Sequence, residues 1–273
     1  MRKSFSIHLK KIISEKKNIL VLLGDISVGL FLDKNERLHK NVLNLGLIEQ
    51  SMISYAAGLA RSGIIPFIHT ISPFIIERAY EQIKLDLCYN NCKCIMVSAN
   101  GPYDYNKLGP THHCPSDVPL LSLLENIEIY LPGRIEDVKT CIDLSLSSSS
   151  SCYIRLNGHP INNENISSGM VIRNGTKNKN LNIYVGEAIN LLDSKNLKFE
   201  NSDHLYIFSY NQIPKNLSFY EEIIFWEPYS APVFGQKFRN ERKSRQKIIS
   251  NIYPSKIEKG IYLFPPDYIE IFV

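Results

Sequence analysis

The chain has 273 residues, of which 44% are hydrophobic and 21% charged, and its formal net charge is only +4. These values are typical of a soluble globular protein that can bury a core, and they do not favour disorder. Because the basic residues are scattered among acidic ones, composition does not suggest nucleic-acid binding, and at this length we expect two α/β domains.

The first 17 residues are basic and are followed by a short apolar run from Ile19 to Leu23. That run is too short for the hydrophobic core of a signal peptide or for a membrane span. The pattern therefore predicts an amphipathic helix leading into a buried strand. It also predicts a cytoplasmic protein with no membrane partner.

Short apolar runs alternate with helical patterns through the first half of the chain. The segment 46–63 carries apolar and small residues at helical spacing and ends in Gly63, which indicates a helix. Strands alternating with helices imply a mostly parallel sheet covered on both faces. The predicted strands lie at 19–24, 64–70, 92–99, 127–133 and 152–158, and the further helices at 74–89 and 134–146.

This pattern is interrupted by Gly158-His159-Pro160 and by a polar stretch at 162–169, which indicates a domain boundary near residues 157–180. We therefore divide the chain into domains at 1–160 and 161–273. The second is expected to be a smaller α/β unit with short helices. Its predicted strands lie at 181–186, 204–210, 221–228 and 260–266.

Three of the six cysteines, Cys88, Cys92 and Cys94, lie close together and invite a metal-site interpretation. However, Cys94 belongs to a predicted core strand, and no second cluster of ligands follows. Buried single thiols in a reducing cytoplasm are the better account. We expect no metal ligands in this chain.

The segment 43–60 places one carboxylate, Glu49, at the start of an otherwise apolar helix. On pattern alone, Glu49 would serve the helix N-terminus, where a carboxylate contributes ~0.3–1 kcal/mol by meeting free N–H groups. A functional role needs further support from the rest of the chain.

That support comes from a resemblance. The segment 43–60 resembles the pyrimidine-domain motif of transketolases and 1-deoxyxylulose-5-phosphate synthases. Further segments match in the same order, and the resemblance covers about residues 2–160. They are Thr70-Ile-Ser-Pro-Phe74, Arg78-Ala-Tyr-Glu-Gln-Ile83, Gly109-Pro-Thr-His112 and Tyr153-Ile-Arg-Leu156.

The resemblance implies a parallel-sheet domain that binds the pyrimidine of thiamine diphosphate (ThDP), followed by a shortened transketolase C-terminal-like domain. It implies that Glu49 hydrogen-bonds N1′ of the aminopyrimidine and that Phe74 stacks on that ring. Asp25 matches an acidic position near the cofactor. Phe74 could instead be plain core, and Asp25 a simple turn aspartate.

The same resemblance implies substrate contacts. His112 matches a histidine that contacts oxygens of the donor substrate and moves protons, and Arg155 matches an arginine that binds the sugar phosphate. Arg2 matches a second such arginine less securely, and Asn100 stands where transketolases have a phosphate-contacting histidine. The alternative for Arg155 is that it ends a strand in solvent.

Three positions depart from the family pattern. Ile71 and Glu77 stand where aromatic residues pack around the pyrimidine, and Leu108 replaces an aspartate that reads a sugar hydroxyl. Ile71 and Glu77 imply weaker stacking on the pyrimidine, whereas Leu108 and Asn100 put the usual sugar-phosphate substrates in doubt. A specialised ketose remains open.

The sequence contains no Gly-Asp-Gly…Asn signature of the kind that holds Mg²⁺ and the cofactor's diphosphate in this family. The resemblance therefore implies a separate diphosphate-binding chain that carries the Mg²⁺ ligands, in an α2β2 heterotetramer. A homodimer of this chain also remains open.

Three functions follow as hypotheses. The first is a split transketolase that passes a two-carbon ketol unit from a ketose or ketose phosphate to an aldose. The second is a decarboxylating relative, similar to deoxyxylulose-phosphate synthase or to a 2-oxoacid dehydrogenase β chain. The third is a non-catalytic module that kept the fold and lost the substrate pocket.

Overall fold

The computed structural model describes residues 1–161, 166–173, 178–193, 202–242 and 246–253. The first half of the chain forms a six-stranded sheet in which every neighbouring pair of strands is parallel. Its strands are β1 (Ile19–Leu23), β2 (Val42–Asn44), β3 (Ile65–Ile71), β4 (Ile95–Ala99), β5 (Ile127–Tyr130) and β6 (Ser151–Leu156). The order β2-β1-β3-β4-β6-β5 confirms the prediction of a parallel α/β sheet.

Helices cover both faces of this sheet. They are α1 (Arg2–Glu15), α2 (Val28–Phe31), α3 (Glu49–Arg61), α4 (Ser72–Ile75), α5 (Tyr80–Gln82), α6 (Asp117–Leu121) and α7 (Asp137–Ser147). Along β1, Val21 and Leu23 pack in the core cluster that includes α1 and α7, whereas Leu22 packs in the cluster that includes α3. The alternation follows from the two-residue period of a strand, and it explains why the strand sequences are apolar throughout.

The predicted helix at 74–89 is broken in the structure. Ser72–Ile75 and Tyr80–Gln82 form two short α-helices, and Ile83–Tyr89 forms a π-helical segment that packs against α3. Apolar residues at helical spacing could not reveal this break, because spacing records which face is buried and not the hydrogen-bond pattern of each turn. π-Helical turns occur frequently at functional sites.

A second sheet is built from later residues, in the order β11-β10-β8-β9-β7. Its strands are β7 (Val171–Ile172), β8 (Asn180–Val185), β9 (Ser202–Ile207), β10 (Glu222–Glu227) and β11 (Lys247–Ile252), with helices α8 (Asn190–Asp193) and α9 (Phe234–Arg242). All pairs are parallel except β7 with β9. The strands β7 and β11 were not predicted, and the strand predicted at 260–266 lies outside the described residues. The two sheets lie on opposite sides of the predicted boundary, although the exact division at residue 160 stays a prediction.

The two sheets meet at a tightly packed seam. A Cβ atom added to Gly133 would lie 2.4 Å from the carbonyl oxygen of Gly186, so the backbones approach too closely for any side chain there. The hydroxyl of Tyr206 donates to Asp137 (2.7 Å) and accepts the Gly133 N–H (2.6 Å). Within the described part of the chain, no helix is both long enough and apolar enough to span a bilayer.

His69 is a fully buried polar residue in the middle of β3. Its Nδ1 lies 2.8 Å from the Val97 carbonyl oxygen and its Nε2 lies 3.0 Å from the Ser27 hydroxyl. Since a carbonyl can only accept, Nδ1 carries the proton and Ser27 donates to Nε2. Burial, with a smaller contribution from Arg2, lowers the pKa of His69 to about 4 despite the opposing effect of the Val97 hydrogen bond.

This buried imidazole predicts that acid destabilises the fold. The unfolded chain takes up a proton near pH 6.5 while folded His69 does so only near pH 4. The stabilisation is therefore present above pH 6.5 and is lost as the pH falls towards 4, by about 3 kcal/mol in total. The free energy of unfolding, measured in urea at pH 7.5 and at pH 5, should fall less between these two pH values in His69→Gln than in wild type. A half-exposed control, His8→Gln, should follow wild type, and equal losses in all three proteins would contradict the prediction.

Candidate functional site

The carboxyl ends of the parallel strands in the first sheet meet at one edge. Three non-glycine residues there adopt a left-handed backbone, Asp25 (φ 59°), Ser27 (φ 59°) and Asn100 (φ 68°). Such conformations are uncommon for residues with a Cβ, and they concentrate at functional sites. Ligands of open parallel sheets also bind at this edge.

Glu49 is the first residue of α3, and its side chain is completely buried. The Thr70 hydroxyl donates to its Oε1 (3.1 Å), and Nη1 of Arg78 donates to its Oε2 (2.7 Å). Gly24 leaves room for this arrangement, because a Cβ there would lie 2.8 Å from Thr70. A buried carboxylate is tolerated only when it is paired and hydrogen-bonded, and both conditions hold here.

Arg78 connects Glu49 to the next two predicted site residues. Its guanidinium lies over the ring of Phe74, with Cζ 4.2 Å from the ring centroid. The Phe74 ring in turn packs edge-on against His112, with centroids 5.3 Å apart. Glu49, Phe74 and His112 therefore belong to one continuous chain of contacts, although their positions in the sequence span more than 60 residues.

His112 is half-buried beside two further side chains. Its Nδ1 lies 2.9 Å from the Thr111 hydroxyl, and its ring makes an edge contact with Tyr105 at 6.1 Å. The preceding Gly109 has φ 79°, so the turn that presents Thr111 and His112 uses a conformation natural to glycine. The Gly-Pro-Thr-His motif thus forms a turn that places the imidazole against Phe74.

A second group of predicted residues lines an open cavity of about 690 Å³ at the same edge of the sheet. Arg2 and Asn100 both line it, as do Ser27, Asn157 and His159. Asn157 is buried and donates to the Pro132 carbonyl (2.9 Å), while its Oδ1 has no hydrogen-bond partner. The cavity is therefore lined by the cationic side chains of Arg2 and Lys3 together with the Asp104 carboxylate.

Asp25 is exposed just beyond β1. Its backbone N–H donates to Oδ1 of Asn44 (3.0 Å), and Nδ2 of Asn44 donates to its carboxylate (3.1 Å). This reciprocal pair ties the ends of β1 and β2 together. Both the turn interpretation and the cofactor interpretation are compatible with this position.

Arg155 does not end its strand in solvent, as one interpretation of the sequence had it. It is 1% exposed, its Nη1 donates to both oxygens of Asp117 (2.9 and 3.2 Å), and its Nη2 donates to the Pro228 carbonyl (3.1 Å). Burial alone would lower the pKa of Arg155, but the carboxylates of Asp117 and Glu187 raise it. The guanidinium thus joins α6 to the second sheet, and it is not among the residues that line the cavity.

The three positions that depart from the family pattern lie around Phe74 and His112. The Ser116 hydroxyl donates to Glu77, so this carboxylate is tied to the segment that follows His112. Leu108 is exposed beside the Gly109 turn, and Ile71 ends β3 half-buried. The surroundings of Phe74 are consequently less aromatic than the family pattern would give.

Sequence reasoning gave no separate role to four residues that the structure places in the site. Thr70 and Arg78 stood within motifs that matched the family, so the signal was present, but nothing in spacing shows that both contact Glu49. Asn157 and His159 follow β6 and were interpreted only as part of a domain boundary. Polar residues directly after a parallel strand are the signal that could have identified them.

The described cysteines behave as ordinary buried thiols. All six are free and buried, and burial raises the pKa of the Cys88 thiol to about 11. Within the described ranges, no group of three His, Cys, Asp or Glu side chains is arranged to hold a metal ion. The cluster formed by Cys88, Cys92 and Cys94 therefore gives no support to a metal site.

The chain is similar in sequence and fold to known proteins. A family model described as "Transketolase, pyrimidine binding domain" matches residues 1–159. The chain is 36% identical over 117 residues to one of the apulose-4-phosphate transketolase subunits of Actinobacillus succinogenes, an alignment that covers 43% of this chain and 38% of that protein. It is 28% identical over 169 residues to the "1-deoxy-D-xylulose-5-phosphate synthase" of Clostridium tetani, covering 59% and 27%.

A solved structure described as "Split gene transketolase, inactive beta4 tetramer" superimposes with a TM-score of 0.75 over 95% of this chain and 91% of that chain. Its sequence identity is 18%, so this likeness concerns the fold. The aligned stretches span less than half the length of the two curated relatives described above.

The contact between Glu49 and Arg78 predicts that substitutions of the two residues have non-additive effects on the free energy of unfolding. Arg78→Met leaves a buried carboxylate without its cation, and should lower the free energy of unfolding by roughly 2 kcal/mol, less than for a fully buried pair because Arg78 is 39% exposed. Adding Glu49→Gln should recover part of that loss. Urea unfolding of wild type, both single variants and the double variant measures the coupling. Strictly additive losses would contradict it.

Proposed function

This chain belongs to the family of transketolase pyrimidine-binding domains, and we propose that it supplies the pyrimidine-binding half of a ThDP-dependent transferase. The enzyme would pass a two-carbon ketol unit from a ketose or ketose phosphate to an aldose. The observation that carries the proposal is the buried Glu49 carboxylate, linked through Arg78 to Phe74 and His112.

The donor set fits an aminopyrimidine ring. Glu49 offers a carboxylate in a water-poor setting, and Phe74 offers a ring face that already accepts a planar nitrogen-bearing group. A flat heterocycle with ring nitrogens can make the same two kinds of contact, a hydrogen bond to the carboxylate and a stack on the aromatic face. When bound, ThDP would supply the carbon that carries the two-carbon unit.

Each residue of the contact chain has a distinct proposed role. Glu49 would share a proton with the pyrimidine nitrogen N1′, a task that requires a fixed carboxylate sheltered from water. Thr70 would hold the other carboxylate oxygen in place. His112, placed against Phe74 by its turn, would bind the donor's oxygens and move a proton there.

The cavity beside the strand ends suits a polyhydroxylated, anionic substrate. Arg2 supplies a positive charge that complements a phosphate. Asn100 lines the same space. Arg155 could take part only after it leaves Asp117, and for this reason we assign phosphate binding first to Arg2.

We further propose that a separate chain provides the diphosphate and Mg²⁺ site in an α2β2 assembly. The chain lacks the Gly-Asp-Gly signature, and large apolar side chains are exposed on α3, on the loop before it and on the π-helical segment packed against it. These are Leu47, Ile48, Tyr55, Leu85 and Tyr89. Exposed apolar patches commonly mark protein interfaces. The beta chains of the structural neighbour, which form an inactive tetramer by its description, support the need for a partner.

A reducing compartment such as the cytoplasm is part of the proposal. Six buried cysteines without a disulfide among them are typical of proteins kept in such a compartment.

The second candidate is a decarboxylating ThDP enzyme. The likeness to 1-deoxyxylulose-5-phosphate synthase covers 59% of the chain. The Arg-Ala-Tyr-Glu-Gln-Ile run that contains Arg78 is also similar to a segment of that family. Incubation with a labelled ketose and an aldose acceptor, and separately with a labelled 2-oxoacid, distinguishes the two. Label in a longer ketose supports the transferase, whereas release of labelled CO₂ supports the decarboxylase.

The first prediction of this proposal concerns cofactor binding and turnover. The chain should bind ThDP tightly, by calorimetry, only when it is mixed with its diphosphate-binding partner and Mg²⁺. Glu49→Gln should lower turnover by about 10²–10⁴-fold, the range expected when a proton-transfer group is lost.

Glu81→Gln, an exposed substitution on α5, is the matched control and should retain full activity. Full turnover by Glu49→Gln would refute the assigned role. Absence of ThDP binding in every mixture would instead favour a module that has lost its site.

A further inference from the structure

Arg78 makes two contacts at once, and they are the two contacts that the proposed function assigns to the cofactor ring. Its Nη1 donates to Oε2 of Glu49 at 2.7 Å, and its guanidinium lies 4.2 Å from the centroid of the Phe74 ring. A guanidinium is planar, delocalised and rich in N–H donors, and it stacks on aromatic faces. In shape and bonding it resembles a protonated aminopyrimidine.

We propose that Arg78 is an internal placeholder that occupies the pyrimidine pocket of the cofactor-free chain and must leave it when the ring binds. The inference rests on the proposed function. It adds a competition within the site, since the guanidinium and the ring would compete for one carboxylate oxygen and one ring face.

The structure gives Arg78 the freedom that this role requires. Its side chain is 39% exposed, while Glu49 opposite is 0% exposed. Arg78 lies between the short helices α4 and α5, so a change in its side-chain position disturbs no long helix. The Thr70 hydroxyl would remain on Oε1 and keep the carboxylate in place.

The free-energy cost of burying the Glu49 carboxylate explains why a placeholder would be present. A carboxylate with no exposure is costly unless a cation or several donors neutralise it. Arg78 meets that need before the cofactor arrives. The apparent affinity for the ring is then reduced by the fraction of molecules in which the pocket is open.

A titration of this chain alone with thiamine, followed by ligand-observed NMR, tests the competition without the partner, Mg²⁺ or turnover. If the pocket is open in about one molecule in ten, Arg78→Met should bind thiamine about tenfold more tightly than wild type. The double variant Arg78→Met with Glu49→Gln should lose that gain. Arg61→Met, at the exposed end of α3, should bind as wild type does.

Weaker or unchanged binding by Arg78→Met would overturn the inference, because an arginine that stays in the complex to position Glu49 would strengthen binding. The same conclusion follows if neither protein binds. Since Arg78→Met lowers stability, each variant is first checked by circular dichroism and urea unfolding. Arg78→Lys, which keeps the charge but not the planar stack, should fold normally and bind with intermediate affinity.

A second measurement on the wild-type protein follows the guanidinium directly. Phenylglyoxal labelling, quantified by mass spectrometry, should rise at Arg78 by about threefold or more when the reconstituted complex is saturated with ThDP, relative to Arg61. Unchanged or reduced labelling of Arg78 would contradict displacement. If the complex binds ThDP but Arg78→Met does not bind thiamine more tightly than wild type, the placeholder role is refuted and the proposed function stands. If the complex does not bind ThDP, the proposed function is refuted as well.

Discussion

The burial of a single carboxylate governs the design of this site. Glu49 has no exposed surface, so its negative charge must be met by donors from other parts of the chain. Thr70 comes from the end of β3 and Arg78 from the segment after α4. Meeting one charge therefore fixes the start of α3 against β3 and brings the 72–79 segment, with Phe74, to the same place. The chain reaches this position because residues 72–89 form two short α-helices and a π-helical segment and not one continuous α-helix.

The parallel sheet supplies the frame for these contacts. Because every strand of the first sheet runs the same way, the ends of β1, β3, β4 and β6 deliver their following residues to one edge. Asn100 and Asn157 reach the cavity by this route, and α1 brings Arg2 to the same cavity. The same topology thus places both the contacts around Glu49 and the residues that line the cavity.

Arg155 shows how tertiary packing can reassign a residue. A guanidinium that the family pattern places on a sugar phosphate is here buried against Asp117 and the Pro228 carbonyl, at the seam between the two sheets. Burial also raises the pKa of Glu187 to about 8, while the neighbouring Arg155 opposes this shift. The charge state of Glu187 therefore depends on Arg155. The segment after β10 therefore helps to hold a side chain of the first sheet in place.

The sequence by itself determined the alternation of strands and helices, the apolar strands of a two-sided sheet, and the ordered motifs around Glu49, Phe74 and His112. These follow from periodicities and local spacing, which a linear chain records directly. It did not determine the break within 74–89, the short strands β2, β7 and β11, the burial of Arg155, or the contacts of Arg78 with Glu49 and Phe74. Those depend on which side chains meet across elements distant in sequence, and on how buried charges find partners. Only the packed tertiary structure decides such pairings, because their free energies arise from burial that no local pattern encodes.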